Sequence, residues 1–240
     1  MIHLLDILLA LLLLVVAPFW GAREYRALVH EIEAGNAAAR LRGYRWGVLV
    51  YWVECLALLL WWWQAGRSAE AIGLALPSGV RSVVGLGITL LVLGFLLMQW
   101  RAVLRLEGVG LNPLRAQLES AIGYMPHTDR EYRWWRAVSV TAGVCEEVLY
   151  RGFLMWFLGH WMSPWLAAIV AGAAFGVGHL YQGLSGMLKT GVTGVLMGLL
   201  CAGTGSLLWP IILHAAVDLQ GGAMAHRVLQ HANPQPAETA

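Results

Sequence analysis

The sequence is poor in charged residues, and this low content excludes two classes of protein. Only 12% of its 240 residues are charged, whereas 59% are hydrophobic and the mean hydropathy is +0.63. An ordinary soluble domain carries about twice that charged fraction, so the composition excludes one. The formal net charge is only +2 and no basic run occurs, which excludes an electrostatic nucleic-acid binder.

Cysteine and lysine are also scarce. The three cysteines lie in apolar stretches, without CxxC spacing, at Cys55, Cys145 and Cys201. An odd and scattered set of this kind predicts neither a disulfide framework nor a cysteine metal site. Lysine occurs once, at Lys189, against fifteen arginines, a bias typical of GC-rich coding. We therefore expect a bacterial source and, given the composition, the cytoplasmic (inner) membrane as location.

Long apolar runs are what the sequence has in abundance. A helix that crosses a bilayer needs about 20 mostly apolar residues. Seven stretches qualify, at about 4–20, 46–63, 82–100, 137–158, 164–181, 186–203 and 206–224. The predicted fold is therefore an all-α, polytopic transmembrane helical bundle of about seven spans, with the lipid bilayer as its surroundings.

Basic residues between the stretches predict the orientation of the bundle. Twelve of the fourteen basic residues outside the spans fall in the first loop, the third loop and the tail. Since cytoplasmic loops carry the excess of arginine and lysine, the N-terminus is predicted outside and the C-terminus in the cytoplasm. Tryptophans near the predicted span ends agree with this model, because indole favours the headgroup region.

The domain organisation follows from these stretches. We predict a single transmembrane domain over 1–225 that consists of N-terminal spans (about 1–100), a cytoplasmic or interfacial loop (101–136) and a catalytic helical core (about 137–225). Within the loop, Leu104, Leu111, Leu114 and Leu118 are spaced as in an amphipathic surface helix. The polar, proline-containing tail at 226–240 is predicted to be disordered.

Ionisable residues inside the spans indicate where function lies. Each costs several kcal/mol in a bilayer unless it is paired, so each is a candidate functional group. Asp6 and Glu54 are single residues in the first two spans. The other ionisable residues are concentrated in the last four spans, at Glu146, Glu147, Arg151, His179, Lys189, His214 and Asp218.

The segment from Cys145 to Gly152 is the strongest of these signals. Glu147 and Arg151 are four residues apart on a helix, so they can form an ion pair. Glu146 points about 100° away and has no partner in this pattern. A carboxylate held in apolar surroundings suits a general base, which favours catalysis over a purely structural ion pair.

Two histidine patterns follow. His179 comes one helical turn after Phe175, and His214 comes one turn before Asp218. The second spacing lets the carboxylate orient the imidazole or join it around a water molecule or a metal ion. Glu146 and His214 lie at similar depths, about 18 Å from the predicted cytoplasmic surface at 1.5 Å per residue. His179 is shallower and reaches them only if its helix extends inward or breaks.

The three patterns EExxxR, FxxxH and HxxxD, in this order, resemble the CPBP family of intramembrane proteases. That family includes the type II CAAX prenyl endopeptidases and bacterial proteins linked to bacteriocin self-immunity. The patterns span about 146–218, and Tyr150-Arg151-Gly152 also fits the family's aromatic-Arg-Gly context. Asp218 departs from the asparagine that is usual at the last position.

The resemblance implies an intramembrane endopeptidase that acts on a peptide or membrane-protein substrate. It implies that Glu146 activates water, that His179 and His214 hold the water or stabilise the oxyanion, and that Glu147 and Arg151 brace the helix. Asp218 belongs to the same set. No cofactor is required by this scheme, although Glu146, His179 and His214 could also hold a catalytic zinc ion.

Three alternatives remain open at this point. Gly183-Leu184-Ser185-Gly186 is similar to the GxSG of rhomboid serine proteases, with His214 as a base. Buried glutamate, aspartate and histidine also build the proton pathways of transporters, although no internal repeat relates two halves of this chain. The third alternative is a membrane scaffold or immunity factor without catalytic activity.

Overall fold

The computed structural model describes residues 2–36, 38–118 and 123–231. Within these residues the chain is helical without a strand, which confirms the predicted all-α class. Eight helices follow one another. They are α1 (Leu4–Glu33, with a π-helical segment at Leu12–Val16), α2 (Ala39–Gln64), α3 (Gly79–Leu104), α4 (Asn112–Leu118), α5 (Asp129–Glu146, continued by the π-helical Glu147–Leu154 and by Met155–Leu158), α6 (Pro164–Gly178), α7 (Gly183–Thr204) and α8 (Leu208–His231).

Seven of these helices overlap the seven predicted stretches, and α4 is a short helix outside them. Among the described residues, four helices are long and apolar enough to cross a membrane by length and composition: Leu4–Glu33, Ala39–Gln64, Gly79–Leu104 and Leu180–Thr204. Their outer faces expose large apolar side chains, as a lipid-facing surface does. The chain is therefore an integral membrane protein, while the number of spans and their orientation stay predictions.

The segment between α3 and α5 packs inward. Leu111 and Val103 are buried with Val228 of α8, and Leu114 and Leu118 pack against that cluster. The predicted apolar stripe therefore exists, but most of it is covered by the end of α8 rather than by lipid. Only Leu104 is exposed among the leucines of that stripe.

The start of the predicted tail belongs to α8, which corrects the prediction of disorder for 226–231. Arg227 donates hydrogen bonds to the carbonyl oxygens of Val103, Leu104 and Leu106. His226 stacks on Tyr132 with ring centroids 4.8 Å apart. These contacts hold the polar segment in a helix, and residues 232–240 lie outside the described part of the chain.

The main core surrounds the π-helical part of α5, where every residue from Glu147 to Leu154 is buried. A Cβ atom on Gly152 would lie 2.9 Å from Ile72 Cγ1, so the loop between α2 and α3 closes directly on this segment. That loop is tied to the start of α8 as well, because Leu207 N donates to Gly73 O at 2.8 Å.

Helices α6 and α7 approach each other through glycines. A Cβ atom on Gly172 would lie 2.4 Å from Val195 N, and one on Gly176 would lie 2.7 Å from Gly191 Cα. Small residues at these positions let two helices meet backbone to backbone, which is a frequent mode of packing in membranes. The close approach brings the α7 backbone next to the polar residues of α5.

Candidate active site

The site begins on α5, where the backbone changes from α-helix to π-helix. Glu146 is the last residue of the α-helical part and Glu147 the first of the π-helical part. Both carboxylates are buried, and Glu147 is fully so. Single turns of π-helix inside α-helices occur frequently at functional sites. The sequence pattern indicated the helix but carried no signal for this change of winding.

Glu147 and Arg151 form the predicted ion pair, with Arg151 Nη1 2.9 Å from Glu147 Oε1. Arg151 also donates from Nη2 to Gly194 O on α7 at 3.1 Å, and its guanidinium lies 4.3 Å from the centre of the Phe175 ring. The arginine thus joins α5, α6 and α7. A Cβ atom on Gly194 would lie 3.1 Å from Arg151 Nη2, so glycine leaves the room that this contact needs.

His214 of α8 reaches the same carboxylate. Its Nδ1 lies 2.7 Å from Glu147 Oε1. Because a carboxylate only accepts, Nδ1 carries the proton and Nε2 is left facing the other way. A Cβ atom on Gly143 would lie 2.8 Å from Ala215 N, so α8 approaches α5 very closely beside His214.

Glu147, rather than Asp218, makes the direct hydrogen bond to His214. His214 Nε2 lies 3.7 Å from Asp218 Oδ2, too long for a direct hydrogen bond, whereas Glu147 holds Nδ1 at 2.7 Å. The side chain of Asp218 is 37% exposed. Glu147 therefore does more than brace α5, because it also sets the tautomer of the imidazole.

Glu146 has partners that its own helix could not supply. The hydroxyl of Tyr51 on α2 donates to Glu146 Oε1. The other oxygen, Oε2, lies 3.7 Å from His214 Nε2. That separation is too long for a direct hydrogen bond and is one that a water molecule can bridge. The expectation that Glu146 lacks a partner is therefore wrong, because it considered α5 alone.

His179 is joined to the site through an aromatic ring. Helix α6 ends at Gly178, and His179 directly follows its last turn without extending the helix inward. Its Nδ1 donates to Phe175 O at 2.8 Å, and its ring centroid lies 4.6 Å from that of Phe175. The Phe175 ring in turn lies 5.9 Å from the ring of His214. Among the described hydrogen bonds, none connects His179 directly to Glu146 or His214.

Two of the remaining ionisable residues of the spans lie apart from these groups. Asp6 forms an ion pair with Arg67, Oδ2 to Nη2 2.5 Å, at a different place in the bundle. Lys189 is exposed on α7. Glu54 is exposed on α2, one turn after Tyr51, and lies close enough to Glu146 for the two carboxylates to repel each other. The site therefore gathers the two glutamates, Arg151, His214 and Asp218, with His179 reached through Phe175.

The fit of a zinc ion can be tested against this geometry. Catalytic zinc is held by about three protein ligands and a water molecule. Over residues 2–36, 38–118 and 123–231, no three His, Cys, Asp or Glu side chains stand close enough to hold a metal ion. His179 is the expected ligand that fails to join Glu146 and His214. As placed here, the three residues do not fit a zinc site, and no step below uses a metal.

The serine alternative requires Ser185 beside His214. Ser185 is exposed in the first turn of α7, whereas His214 lies within α8 and bonds to Glu147. Among the described hydrogen bonds, none joins the serine to the histidine. Cys145 is a free thiol buried next to Glu146, without the base that a nucleophile requires.

Comparison with known proteins finds a family model that is similar to the C-terminal part of the chain. Residues 130–220 match the family model described as Rce1-like, type II CAAX prenyl endopeptidase. The matched segment contains all three motifs, which confirms the resemblance to the CAAX protease family. No curated protein and no solved structure matches the chain.

Proposed function

We propose that the chain is an intramembrane endopeptidase in which Glu146 activates water to hydrolyse a peptide bond at membrane depth. The support is that residues 130–220 of this integral membrane protein match the Rce1-like family model. One observation carries this proposal. Glu146 Oε2 and His214 Nε2 face each other at 3.7 Å, and each is held from behind by a hydrogen bond to another residue. A water molecule between them meets two proton acceptors whose positions are set before substrate binds.

In the proposed reaction, Glu146 transfers one proton from the attacking water to the departing amine. Glu146 takes a proton from the water as its oxygen attacks the carbonyl carbon of the scissile bond. The bond breaks as the protonated Glu146 passes that proton to the departing amine. His214 keeps its proton on Nδ1, bonded to the Glu147 carboxylate, and its Nε2 accepts a hydrogen bond from the second hydrogen of the water, which holds that water for attack.

His179 and Asp218 line the approach to these groups. His179 keeps Nδ1 on the carbonyl of Phe175, which leaves its Nε2 for the substrate or water. Asp218 places a carboxylate oxygen 3.7 Å from His214 Nε2, a separation that a water molecule can bridge. We assign these two residues to substrate and water binding, with Arg151 and Glu147 holding the helices in position.

The test is a comparison of protein termini. Purified protein in liposomes is incubated with a detergent-solubilised membrane proteome, and newly formed N-termini are identified by mass spectrometry. We expect termini that the wild type generates and Glu146→Gln does not. Ser185→Ala is the matched control and should generate the wild-type set.

The outcomes separate the alternatives. Equal sets of termini from the wild type and Glu146→Gln would contradict proteolysis and favour a transporter or a scaffold. Loss of cleavage in Ser185→Ala alone would support the serine mechanism instead. A parallel reaction after dialysis against a chelator should retain its activity, and activity lost on dialysis and restored by zinc would overturn the metal-free scheme.

We also propose that the chain lies in a bacterial inner membrane, within the self-immunity branch of the family, with its N-terminus outside and its C-terminus in the cytoplasm. The support is the predominance of arginine over lysine and the concentration of basic residues in alternate loops. Reporter fusions after Leu106 and after Gly66 should report opposite sides of the membrane, cytoplasmic and external respectively. The reverse pattern would contradict this orientation.

A further inference from the structure

Tyr51 lies on α2, outside the segment that matches the protease family, yet its hydroxyl contacts the carboxylate at the centre of the site. The side chain is half-buried, and its hydroxyl donates to Glu146 Oε1. We propose that Tyr51 is a positioning residue for this reaction, which holds Glu146 in the geometry of a general base. This inference rests on the proposed function of Glu146.

The chemistry of the carboxylate explains what the contact achieves. A glutamate side chain has three rotatable bonds, so Glu146 has several orientations open to it unless one oxygen is held. With Oε1 on the tyrosine hydroxyl, Oε2 is the oxygen left to face His214 Nε2 at 3.7 Å. Tyr51 thus determines which oxygen takes the proton from water and keeps that oxygen at a bridging distance from His214.

The residues near Tyr51 on α2 are packed so that they hold this part of the helix in place. The face of α2 that follows it is packed into the bundle, with Cys55 and Leu58 buried. One residue further along α2, Trp52 Nε1 donates to Thr141 Oγ1 of α5 at 3.1 Å. A third polar contact between α2 and α5 is the ion pair of Arg40 and Glu131, with Arg40 Nη1 2.9 Å from Glu131 Oε1. Among these three contacts, only the one from Tyr51 ends on a reacting group.

The contacts of Tyr51 and Trp52 provide a test with a matched control. Tyr51→Phe removes the hydroxyl and keeps the ring, whereas Thr141→Val removes the acceptor of the other contact and keeps the side-chain shape. Both variants lose one hydrogen bond between the same two helices. A role limited to helix packing would affect them equally, but a positioning role affects the chemical step of Tyr51→Phe alone.

We expect Tyr51→Phe to lower kcat by about tenfold to a hundredfold, the range for losing a hydrogen bond to a charged group. KM should stay within about twofold, because the contact is made to the enzyme's own base rather than to substrate. Thr141→Val should keep the wild-type kcat and KM. The assay uses a peptide that carries the cleavage site found in the comparison of termini, and thermal unfolding in detergent checks that both variants fold.

A double-variant cycle sharpens the result. Glu146→Asp shortens the side chain and withdraws the carboxylate from Tyr51, so Tyr51→Phe should cost less than about twofold in that background. The inference is overturned if Tyr51→Phe has the wild-type kcat, if Thr141→Val loses as much, or if the loss is undiminished in Glu146→Asp. Full activity of Tyr51→Phe beside an inactive Glu146→Gln overturns this inference alone. Full activity of both variants overturns the proposed function itself.

Discussion

Two of the buried carboxylate–guanidinium pairs among the described residues, Asp6–Arg67 in the N-terminal half and Glu147–Arg151 in the C-terminal half, are built differently. Asp6 uses both oxygens. Oδ1 accepts from Trp61 Nε1 at 3.0 Å and from Arg67 Nη1 at 2.8 Å, and Oδ2 accepts from Arg67 Nη2 at 2.5 Å and from His3 N at 2.7 Å. Arg67 also lies against the rings of Trp62 and Trp156. A bidentate ion pair of this kind, in which both carboxylate oxygens accept hydrogen bonds, has a structural role.

The pair in the C-terminal half is incompletely satisfied. Arg151 and His214 both bond to Glu147 Oε1, while Glu147 Oε2 and Arg151 Nε are buried without a hydrogen-bond partner among the described residues. A buried polar atom left in this way costs free energy, which the fold tolerates here. The difference indicates that Asp6 and Arg67 hold α1 to the loop after α2, whereas Glu147, paired with Arg151, holds the histidine of the proposed reacting centre.

Glu147→Gln is the substitution with the largest expected effect, because it disturbs both the ion pair and the histidine. The amide can donate to Nδ1 and turn the imidazole into the wrong tautomer. We expect kcat to fall by at least about a hundredfold. In Ser-His-Asp triads, where a carboxylate likewise holds the histidine, the wrong histidine tautomer lowers kcat strongly. Kinetics on the purified variant measure the fall, and a kcat near that of the wild type would contradict the role given to Glu147.

Asp6→Asn tests the other half of the comparison. It leaves Arg67 buried without its counter-charge, which costs about 3–5 kcal/mol of stability. We expect a lower unfolding temperature in detergent but a kcat per folded molecule within about twofold of the wild type. The double variant Asp6→Asn/Arg67→Met should recover part of the stability, because no uncompensated charge is left buried. A large loss of kcat in the folded Asp6→Asn variant would contradict the conclusion that the Asp6–Arg67 pair has only a structural role.

Asp218→Asn should have the smallest effect. It introduces the residue that the family usually has at this position and keeps an oxygen near His214 Nε2. The side chain is 37% exposed, so water screens much of its charge. We expect kcat within about fivefold of the wild type, whereas Asp218→Leu, without an acceptor, should lose more. A loss of about a hundredfold or more in Asp218→Asn would show that the carboxylate itself takes part in proton transfer.

The sequence determined the features that depend on neighbours along one helix. The helical membrane bundle followed from apolar stretches long enough to cross a bilayer, and the Glu147–Arg151 pair followed from a spacing of four residues. The concentration of ionisable residues in the last four spans indicated a candidate site on α5, α6 and α8. These features could be predicted because hydropathy and helical periodicity are local properties.

Tertiary structure decided what lies across from each residue. Tyr51 is 95 residues from Glu146 and His214 is 67 residues from Glu147, and no spacing in the sequence indicates either contact. The same holds for the end of α8, where buried Val228 and the bonds of Arg227 keep a polar segment helical. Polarity and spacing show which side chains can react, but only the packing of helices through glycines shows which of them meet.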